Sequence, residues 1–527
     1  MGGQRAAFVL PAAEFARMLW VLRRLGPQAI VYPGQQQHVR AAIQYLSDGI
    51  RLEQIFTHIG WRQHAGQWVY LHAGGALGGA LDTLQVDLPS PLQHYHLRQP
   101  ANARELRKAV CASLHVLSAA PDRISLPLLA GVYREALGAS SFGIFLSGAS
   151  GVFKSALAAV SQQHFGAGMD ASHLPANFAS TANALESLAF SVKDALLVVD
   201  DFAPQGGRRD GELQSVSERL FRGVGNQQGR SRLGADGQLR KVQMPRGLVL
   251  GTGEEVPPGQ SIRARMVILE LQAGQVDRAC LSKCQFAGRA GLLAGSMAGF
   301  ICWVANQYDA VLERLQRRAH QIRSQGEADA AHARTPTALA ELQAGWEIFL
   351  AFAQESGAIT AVEREGLQDR CLGVMTELAI GQAKYQESSD PALRFLGRLR
   401  TALAHGQAYV TDRQGRVPPE PAAWGWQQNA GQRWLPRGIR IGWLAGDDLF
   451  LDPERSRDVA QRGPGAVGLE AGASTLRRSL RARGFLQSVD TARQMLTVRR
   501  TMIPWPQQPT PQFQFPGQAF QSRRQSL

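Results

Sequence analysis

Cysteine is scarce in this sequence: the 527 residues contain five cysteines, an odd number spread widely along the chain. This pattern argues against a disulfide framework and indicates a reducing compartment. Cys280 and Cys284 form a Cys-x-x-x-Cys pair, but no second pair or nearby histidine completes a zinc ligand set. The histidines and tryptophans between positions 58 and 72 match no metal-ligand spacing either, so we interpret them as core or surface aromatics.

Targeting and membrane-spanning signals are weak. The N-terminal sequence MGGQRAAFVLPAAEF does not have the charged-then-apolar form of a signal peptide. The most hydrophobic run, Ala290–Ala305, is shorter than the roughly 20 residues that a bilayer span needs. We therefore interpret this run as a buried helix and expect a cytoplasmic protein with no membrane partner.

Negative charge is also in deficit. The chain has 43 acidic and 57 basic residues, a net charge of +14 and an isoelectric point near 10.1. Such a surplus favours a polyanionic partner, and nearly all of it is arginine, which forks onto phosphates and stacks on bases. A GC-rich genome would explain arginine in place of lysine, but it would not explain the surplus over the acidic residues.

The most informative stretch is SFGIFLSGASGVFKSAL, residues 141–157. It reads as a buried strand over Ile144–Leu146, a loop of small residues and a helix that opens at Lys154. Loop N–H groups and a helix N-terminus placed in this order bind phosphate, with a lysine on the outer phosphates and a hydroxyl on Mg²⁺. The predicted ATP-binding residues are Gly148, Ala149, Ser150, Gly151, Val152, Phe153, Lys154 and Ser155.

One residue departs from the usual pattern G-x-x-x-x-G-K-[ST]. Phe153 holds the position of the second glycine, and the spare glycine is Gly151. Glycine usually stands there because the backbone passes close to phosphate and adopts a positive φ, which costs another residue about 1–2 kcal/mol. Two explanations stay open: the loop takes a variant path through Gly151, or the site binds nucleotide weakly.

A second buried strand, LLVVDDF at Leu196–Phe202, ends in two carboxylates. We predict Asp200 as a Mg²⁺ ligand and Asp201 as the group that polarises the attacking water. The separation of 46 positions between Lys154 and Asp200 (200 − 154) allows one helix and a connection between neighbouring parallel strands. The alternative is a capped strand-to-helix turn with a chance Lys-Ser pair.

Two further buried runs, Gly247–Leu250 and Met266–Leu271, are predicted to complete the sheet. Thr252 or Glu254, after the first run, would lie where α/β sheets bind ligands and would touch the γ-phosphate or the attacking water. A polar loop that only connects is equally plausible.

Arg263 and Arg265 precede the second run and share a strand face, so either would serve as an arginine finger from a neighbouring subunit. The alternative is an edge-strand arginine pair.

Between the second and third strands lies a glycine-rich basic segment, residues 219–246. Asp236-Gly237 predicts a hairpin whose arms carry Arg230, Arg232, Arg240 and Lys241, a set suited to a nucleic-acid backbone. The alternative is a solvated or disordered loop.

Further along, Thr475–Gly484 predicts a basic helix followed by strands at Leu486–Asp490 and Met495–Arg500. We interpret this as a winged helix that reads DNA through Arg477, Arg478 and Arg481, with a structural or partner-binding winged domain as the alternative.

The chain is long enough for several domains, because single cores stop growing near about 250–300 residues. We predict an α/β protein: a P-loop NTPase core with a parallel sheet, plus an N-terminal α+β region, a helical domain and a C-terminal winged helix. The predicted bounds are 1–120 for the N-terminal region, 121–275 for the ATPase core, 276–405 for the helical domain, 406–503 for the winged-helix-like domain and 504–527 for a disordered Pro/Gln-rich tail.

Several stretches together resemble a bacterial family of mobile-element ATPases of unknown function associated with primases, and the helicase portion of superfamily 3-like phage primase–helicases. They are FTHIGWR (56–62), YLHAGGALG (70–78), FLSGASGVFKS (145–155), DALLVVDDFAP (194–204), PRGLVLGTGEEVPPGQSIRAR (245–265), DDLFLDPE (447–454) and DTARQMLTVRR (490–500).

The resemblance implies a P-loop ATPase, a hexamer in which a hairpin grips single-stranded DNA. It implies ATP and Mg²⁺ at Lys154, Ser155 and Asp200, with Asp201 on the water. Two departures are Phe153 and the second carboxylate, where Glu is common and Asp201 is shorter by one methylene. No acidic cluster or cysteine set of a primase is present in the sequence, so a primase would be a separate partner.

We therefore expect an ATP-dependent DNA motor, a replicative helicase of a phage, plasmid or integrative element. Two alternatives stay open. One is a DNA-binding regulatory or scaffolding ATPase without unwinding activity, and the other is a degenerate P-loop domain with no turnover. Single-stranded DNA in the motor channel and duplex DNA at the winged domain are the expected partners.

Overall fold

The structure is a computed structural model. It describes residues 7–49, 54–79, 84–205, 208–229, 231, 233, 237, 239, 242–326, 334–388, 390–462, 472–486, 498–499 and 511–516. The chain divides into two compact units, residues 1–55 and 56–527. The described residues of the first unit include three helices, α1 (Ala12–Phe15), α2 (Leu19–Leu25) and α3 (Gln36–Tyr45). Met18 and Trp20 are buried in its small apolar cluster.

Short strands open the second unit. These are β1 (Ile55–Phe56, which begins at the division), β2 (Gly60–His64), β3 (Gln67–His72), β4 (Gly75–Leu77) and β5 (Gln85–Val86). Strands β2, β3 and β4 form an antiparallel sheet in that order. Two helices follow, α4 (Ala103–His115) and α5 (Asp122–Glu135), and Asn102 caps α4 by accepting a hydrogen bond from the Glu105 N–H.

A five-stranded parallel sheet forms the centre of the second unit. Its strands are β6 (Gly143–Ser147), β7 (Ala176–Asn177), β8 (Lys193–Phe202), β9 (Arg246–Gly253) and β10 (Met266–Glu270). The connecting helices are α6 (Lys154–Gln162), α7 (Ala182–Ser191), α8 (Arg208–Asn226) and α9 (Gln260–Arg263). The mixed α/β class and the parallel sheet agree with the prediction, and the predicted buried apolar runs supply the interiors of β6, β8, β9 and β10. The two-residue strand β7 is not among the predicted runs.

The strand order corrects one expectation. The sheet runs β10-β6-β9-β8-β7, so β9 lies between β6 and β8. The two strands that were predicted as neighbours are therefore one strand apart. All strands are parallel, so the ends of β6, β8 and β9 still meet at one edge. The residues after them can therefore come together across the ladder.

The β2–β4 sheet is fixed to the start of β8 by buried hydrogen bonds. The Trp61 N–H donates to Asp194 Oδ2 over 2.9 Å, and the Tyr70 hydroxyl donates to the Asp194 carbonyl over 2.7 Å. A Cβ on Gly60 would lie 2.2 Å from the Lys193 carbonyl oxygen, so this close approach requires glycine. The aromatic residues of the FTHIGWR and YLHAGGALG stretches therefore have a structural role.

Two glutamine amides bond to strand backbone where no strand partner lies. Gln382 accepts from the Ile268 N–H over 3.1 Å and donates to its carbonyl over 2.8 Å, on the edge strand β10. Gln162 does the same for β8, accepting from Val198 over 2.9 Å and donating to Leu196 over 3.0 Å. Buried N–H and C=O groups left unpaired would be costly, and these amides satisfy them.

Five helices follow the sheet: α10 (Arg278–Arg289), α11 (Leu292–Ala305), α12 (Tyr308–Gly326), α13 (Arg334–Glu355) and α14 (Ala361–Ser388). One hydrophobic cluster runs from Ile59 to Leu378 and includes the sheet and these helices. The predicted regions 1–120, 121–275 and 276–405 therefore share a core from residue 59 onward. In the described part, no single helix is long and apolar enough to span a membrane; α10 and α11 reach that length together but are bent by 62°.

A second core lies among α15 (Pro391–Ala404), β11 (Ala408–Asp412), β12 (Trp426–Gln428), β13 (Trp434–Pro436), β14 (Ile439–Ala445), β15 (Asp448–Leu451), α16 (Pro453–Arg462) and α17 (Ala473–Ala482). Two further strands follow, β16 (Val498–Arg499) and β17 (Pro511–Pro516). Within the second core, Asp390 links α15 to α17. The buried Asp390 carboxylate caps α15 and accepts hydrogen bonds from Ser479 and Arg483, each over 3.0 Å.

Five of these strands form a mixed sheet in the order β11-β14-β15-β17-β16. Strand β17 pairs antiparallel with β15, so residues 511–516 differ from the expectation of a disordered tail over 504–527. The basic helix predicted at Thr475–Gly484 is α17. Most of the predicted strand Leu486–Asp490 lies outside the described residues, and the winged-helix interpretation stays a prediction.

Candidate nucleotide site at the edge of the parallel sheet

The loop at residues 148–153 (the 148–153 loop) joins β6 to α6. Gly148 is required at its start, because a Cβ there would lie 2.3 Å from the Leu271 carbonyl oxygen. Its N–H donates to the Gly253 carbonyl over 3.2 Å, which fixes the loop to the end of β9. Gly151 and Phe153 both have positive φ values, 79° and 71°. The loop thus uses the spare glycine and also holds Phe153 in the left-handed conformation that favours glycine.

Phe153 precedes the first residue of α6, and the residue is 37% exposed. The Arg278 guanidinium, at the start of α10, lies 5.2 Å from the centre of the Phe153 ring. This distance is within the range of a cation–π contact, worth about 0.5–1 kcal/mol at exposed sites. Arg278 therefore offsets part of the backbone strain at Phe153. This pair could not be predicted from the sequence, because 125 positions separate the two residues (278 − 153).

Lys154 is the first residue of α6 and points back into the 148–153 loop. Its ammonium donates to the carbonyls of Gly148 over 2.8 Å and Ala149 over 2.7 Å. Partial burial lowers the pKa of Lys154 from its ordinary value, while the charges of Glu254, Asp200 and Asp201 oppose that shift. The ammonium thus lies among three carboxylates at the edge of the sheet.

Asp200 is the hydrogen-bonding centre of the site. Its Oδ1 accepts a hydrogen bond from Ser155 Oγ over 2.8 Å and a second, short one from Thr252 Oγ1. Ser155 lies on α6, Asp200 on β8 and Thr252 on β9, so one carboxylate oxygen joins the three motifs. The structure therefore brings together Lys154, Ser155, Asp200 and Thr252, as the sequence predicts.

Asp201 is placed by an irregularity in β8. The register between β8 and β9 shifts after Val199, and Asp201 has a φ of 67°. Its N–H donates to Thr252 Oγ1 over 3.2 Å. Bulges of this kind re-aim side chains beside active sites, because they break the alternation of a strand. As a result, Asp200 reaches Ser155 while Asp201 is exposed toward the neighbouring cavity.

This cavity has a volume of about 290 Å³ and opens at the edge of the sheet. It is lined by Ser150, Gly151, Phe153, Lys154, Ser155, Ala156, Asp201, Thr252, Gly253 and Glu254. The predicted ATP-binding set contributes five of these residues. A larger cavity of about 450 Å³ lies along the edge strand β10 and α14, but no residue of the 148–153 loop lines it. We regard the smaller cavity as the candidate site, because its lining includes the amine of Lys154, the hydroxyl of Ser155 and the carboxylate of Asp201.

The donor atoms at the site suit magnesium. Ser155 Oγ and Asp200 Oδ1 are both oxygens, which is the ligand type that Mg²⁺ prefers. Among the described residues, no cluster of three or more His, Cys, Asp and Glu could hold a metal ion. Mg²⁺ commonly takes one or two protein oxygens together with waters and phosphate oxygens. Ser155 and Asp200 therefore fit a metal shared with a nucleotide rather than a closed metal cage.

The predicted arginine fingers, Arg263 and Arg265, are not among the residues that line this cavity. Arg263 ends the one-turn helix α9, and Arg265 precedes β10, so the two do not share a strand face as predicted. The Arg265 carbonyl accepts from the Gly143 N–H at the start of β6, four residue steps, or about 13 Å, from the loop end of that strand. Neither arginine lines the candidate cavity of its own chain.

Arg265 belongs to a basic cluster that the sequence did not reveal. Its Nη2 donates to Asn226 Oδ1 over 2.8 Å, and Arg334 Nη2 donates to the same oxygen over 3.2 Å. Burial lowers the pKa of Arg265, and the nearby charges of Arg334 and Arg222 lower it further. Asn226 therefore holds two guanidinium groups side by side at the end of α8.

The predicted DNA-binding residues divide into two groups. Arg230, Arg232, Arg240 and Lys241 lie outside the described residues, although Leu233 and Leu239 form an antiparallel bridge as the hairpin prediction requires. On α17, Leu476 and Leu480 are buried, Arg478 and Arg481 are exposed, and Arg477 is half-buried. The basic face of α17 therefore presents two arginines to solvent one turn apart.

Comparison with known proteins finds a family model that matches part of the chain and a solved structure with a similar fold. The model of a family described as a domain of unknown function (DUF927) matches residues 32–244, which include the 148–153 loop and Asp200. A solved structure entitled "SCCmec type IV Cch - active helicase" superimposes with a TM-score of 0.55 at 14% identity, over 96% of this chain and 87% of that chain. No curated protein matches this chain. The two chains therefore share a fold along nearly their whole lengths.

Proposed function

We propose that this chain is an ATP-dependent DNA motor, a helicase of a phage, plasmid or integrative element. The observation that carries the proposal is the 2.8 Å hydrogen bond between Ser155 and Asp200, beside Lys154 and at the carboxyl edge of one parallel sheet. A phosphate-binding lysine, a hydroxyl and a strand-end carboxylate in this arrangement are typical of P-loop NTPases. The shared fold with a protein described as an active helicase supports the same reading.

The residues divide the work of binding. The N–H groups of the 148–153 loop and the start of α6 would cradle the phosphates, and Lys154 would leave its loop carbonyls for the outer phosphates. Ser155 and Asp200 would hold Mg²⁺, whose charge would offset that of the phosphates. Thr252 keeps Asp200 oriented by its hydrogen bond, and Asp201 is exposed where the attacking water would lie.

The assembly we propose is a ring, a homohexamer, because neither Arg263 nor Arg265 lines the cavity of its own chain. An arginine from a neighbouring subunit would then neutralise transition-state charge, an effect worth about 10³–10⁵ in rate. Single-stranded DNA would pass the basic hairpin, and the winged-helix-like region would contact duplex DNA. A cytoplasmic location and a separate primase partner complete the proposal.

One observation favours a second candidate. Phe153 holds the left-handed position of the 148–153 loop, where a Cβ stands close to the path of the phosphates. A DNA-binding regulatory ATPase, or a degenerate domain without turnover, would tolerate such a residue. Strand displacement on a forked duplex with MgATP separates these from the motor. Displacement supports the motor, and DNA binding without displacement supports the alternatives.

The effect of Phe153 on nucleotide binding can be tested by restoring glycine. We expect Phe153→Gly to bind ATP about tenfold more tightly, because it removes the Cβ near the phosphates. The left-handed strain at Phe153 exists without nucleotide, so its relief stabilises the fold rather than the complex. Isothermal titration with MgATP measures this. Phe153→Ala is the matched control, since it removes the ring but keeps the Cβ and the strain. Equal gains in the two variants would show that the ring, and not the backbone, limits binding.

DNA binding by α17 predicts a change in salt dependence. We expect the double substitution Arg478→Ala with Arg481→Ala to lower the slope of log affinity against log salt by about 1.4–1.8, because each lost phosphate contact removes about 0.7–0.9. Fluorescence anisotropy of a labelled oligonucleotide over a salt series measures it. Arg314→Ala with Arg317→Ala is the control, with the same spacing on an exposed face of α12. An unchanged slope in the α17 variant would exclude this helix from the DNA interface.

A further inference from the structure

Glu254 lies in the candidate cavity, whereas the sequence alone leaves open whether it lies at the site or on a loop that only connects. It directly follows β9, its side chain is exposed, and it lines the cavity together with Lys154 and Asp201. Its N–H donates to the Phe202 carbonyl over 3.1 Å, at the end of β8. The preceding Gly253 carbonyl accepts from the Gly148 N–H over 3.2 Å. The backbone at Glu254 is therefore fixed to both the 148–153 loop and the acidic strand, so its carboxylate is not on a loose connecting loop.

The charge of Glu254 acts on Lys154, the residue that would bind the outer phosphates. Three carboxylates raise the pKa of Lys154 against the effect of burial, and Glu254 has the largest effect, ahead of Asp200 and Asp201. The Glu254 and Lys154 side chains line the same cavity, so the two groups face one space. A nucleotide whose outer phosphate replaced the loop carbonyls on Lys154 would therefore have Glu254 close to that phosphate.

The other two carboxylates are less suited to activate a water. Asp200 already accepts hydrogen bonds from Ser155 and Thr252, and it does not line the cavity. Asp201 lines the cavity, but its side chain is one methylene shorter than that of Glu. Its backbone is also held by the Thr252 hydroxyl at a φ of 67°. Glu254 has the longer side chain and faces the same space from the neighbouring strand.

We infer that Glu254 is the general base for ATP hydrolysis, and that Asp201 positions the water from the other side of the cavity. The inference rests on the proposed function. The water oxygen forms a bond to the γ-phosphorus while the bond from that phosphorus to the bridging oxygen breaks. The departing oxygen keeps the electron pair and becomes part of ADP. The water proton passes to the Glu254 carboxylate, which later releases it to phosphate or solvent.

Steady-state ATP turnover of the full chain tests this, using Glu254→Gln and Asp201→Asn as matched isosteric substitutions. We expect Glu254→Gln to lower kcat about 100-fold or more, the scale of a lost general base, with the KM for ATP changed less than threefold. We expect Asp201→Asn to lower kcat less than tenfold.

Binding of ATP, measured by titration calorimetry, should be retained in both variants and shows that each still folds. Turnover in Glu254→Gln equal to that of the unsubstituted chain would overturn the inference. An equal or larger loss in Asp201→Asn would overturn it too, and in either case the proposed function would stand. Absence of turnover in the unsubstituted chain would overturn the proposed function and this inference with it.

Discussion

Lys154→Ala is expected to lower ATP turnover about 100- to 1,000-fold, the scale of losing one preorganised charge contact to a transition state. The ammonium lies within 2.8 Å of the Gly148 and Ala149 carbonyls, at the mouth of the cavity that Ser155 and Asp201 also line. Alanine leaves the helix start intact, because it is a good helix former. The loss should therefore come from phosphate binding rather than from unfolding.

Phosphate release over a range of MgATP concentrations measures this effect. We expect both a lower kcat and weaker nucleotide binding, since the lysine would contact the phosphates before and during transfer. Lys108→Ala is the control, because Lys108 is an exposed lysine on α4 and does not line the candidate cavity. Equal turnover in the two variants would show that Lys154 and the 148–153 loop do not bind the phosphates.

Asp200→Asn is expected to lower turnover about 100-fold and to raise the Mg²⁺ concentration that gives half-maximal activity. Asparagine keeps the shape of the side chain but loses the negative charge that would bind the metal. It can also present an NH₂ group where Oδ1 accepts from Ser155 and Thr252. Mutation of a residue that hydrogen-bonds to a metal ligand typically lowers metal affinity or activity 10- to 100-fold. Mutation of the ligand itself should lower them at least as much.

A magnesium titration of ATP turnover measures the Asp200→Asn effect. Asp458→Asn serves as the control, because it makes the same chemical change at an exposed position of α16. Excess Mg²⁺ should restore part of the activity of Asp200→Asn and should leave Asp458→Asn at the level of the unsubstituted chain. A magnesium dependence identical in the two variants would contradict the assignment of Asp200 to the metal.

Much of the site could be predicted because it lies on buried strands. The runs around Ile144, Val198 and Leu250 are continuous and apolar, so they identify strands buried on both faces, and the polar residues after them must gather at one edge. The strand order could not be predicted in the same way. A separation of 46 positions is compatible with adjacent strands or with strands one apart, and the structure places β9 between β6 and β8.

Other differences have local physical reasons. The segment Gln260–Arg263 is a single helical turn, too short for its periodicity to be distinguished from that of a strand. The sequence therefore predicts one strand face for Arg263 and Arg265, which the structure does not show. In the tail, Phe513 and Phe515 alternate with glutamines, which is a strand pattern, but the flanking prolines favoured disorder. The shared core from Ile59 to Leu378 depends on contacts between distant segments, which composition does not reveal.

The most direct test of the account is ATP turnover of the full chain with MgATP, measured with and without single-stranded DNA. The account predicts turnover that requires Mg²⁺ and rises when the DNA is added, because the site at Lys154 and Asp200 would drive movement along a strand. The absence of both ATP turnover and ATP binding at millimolar MgATP would contradict the account. The chain would then be a basic, multidomain binding protein whose 148–153 loop holds no nucleotide.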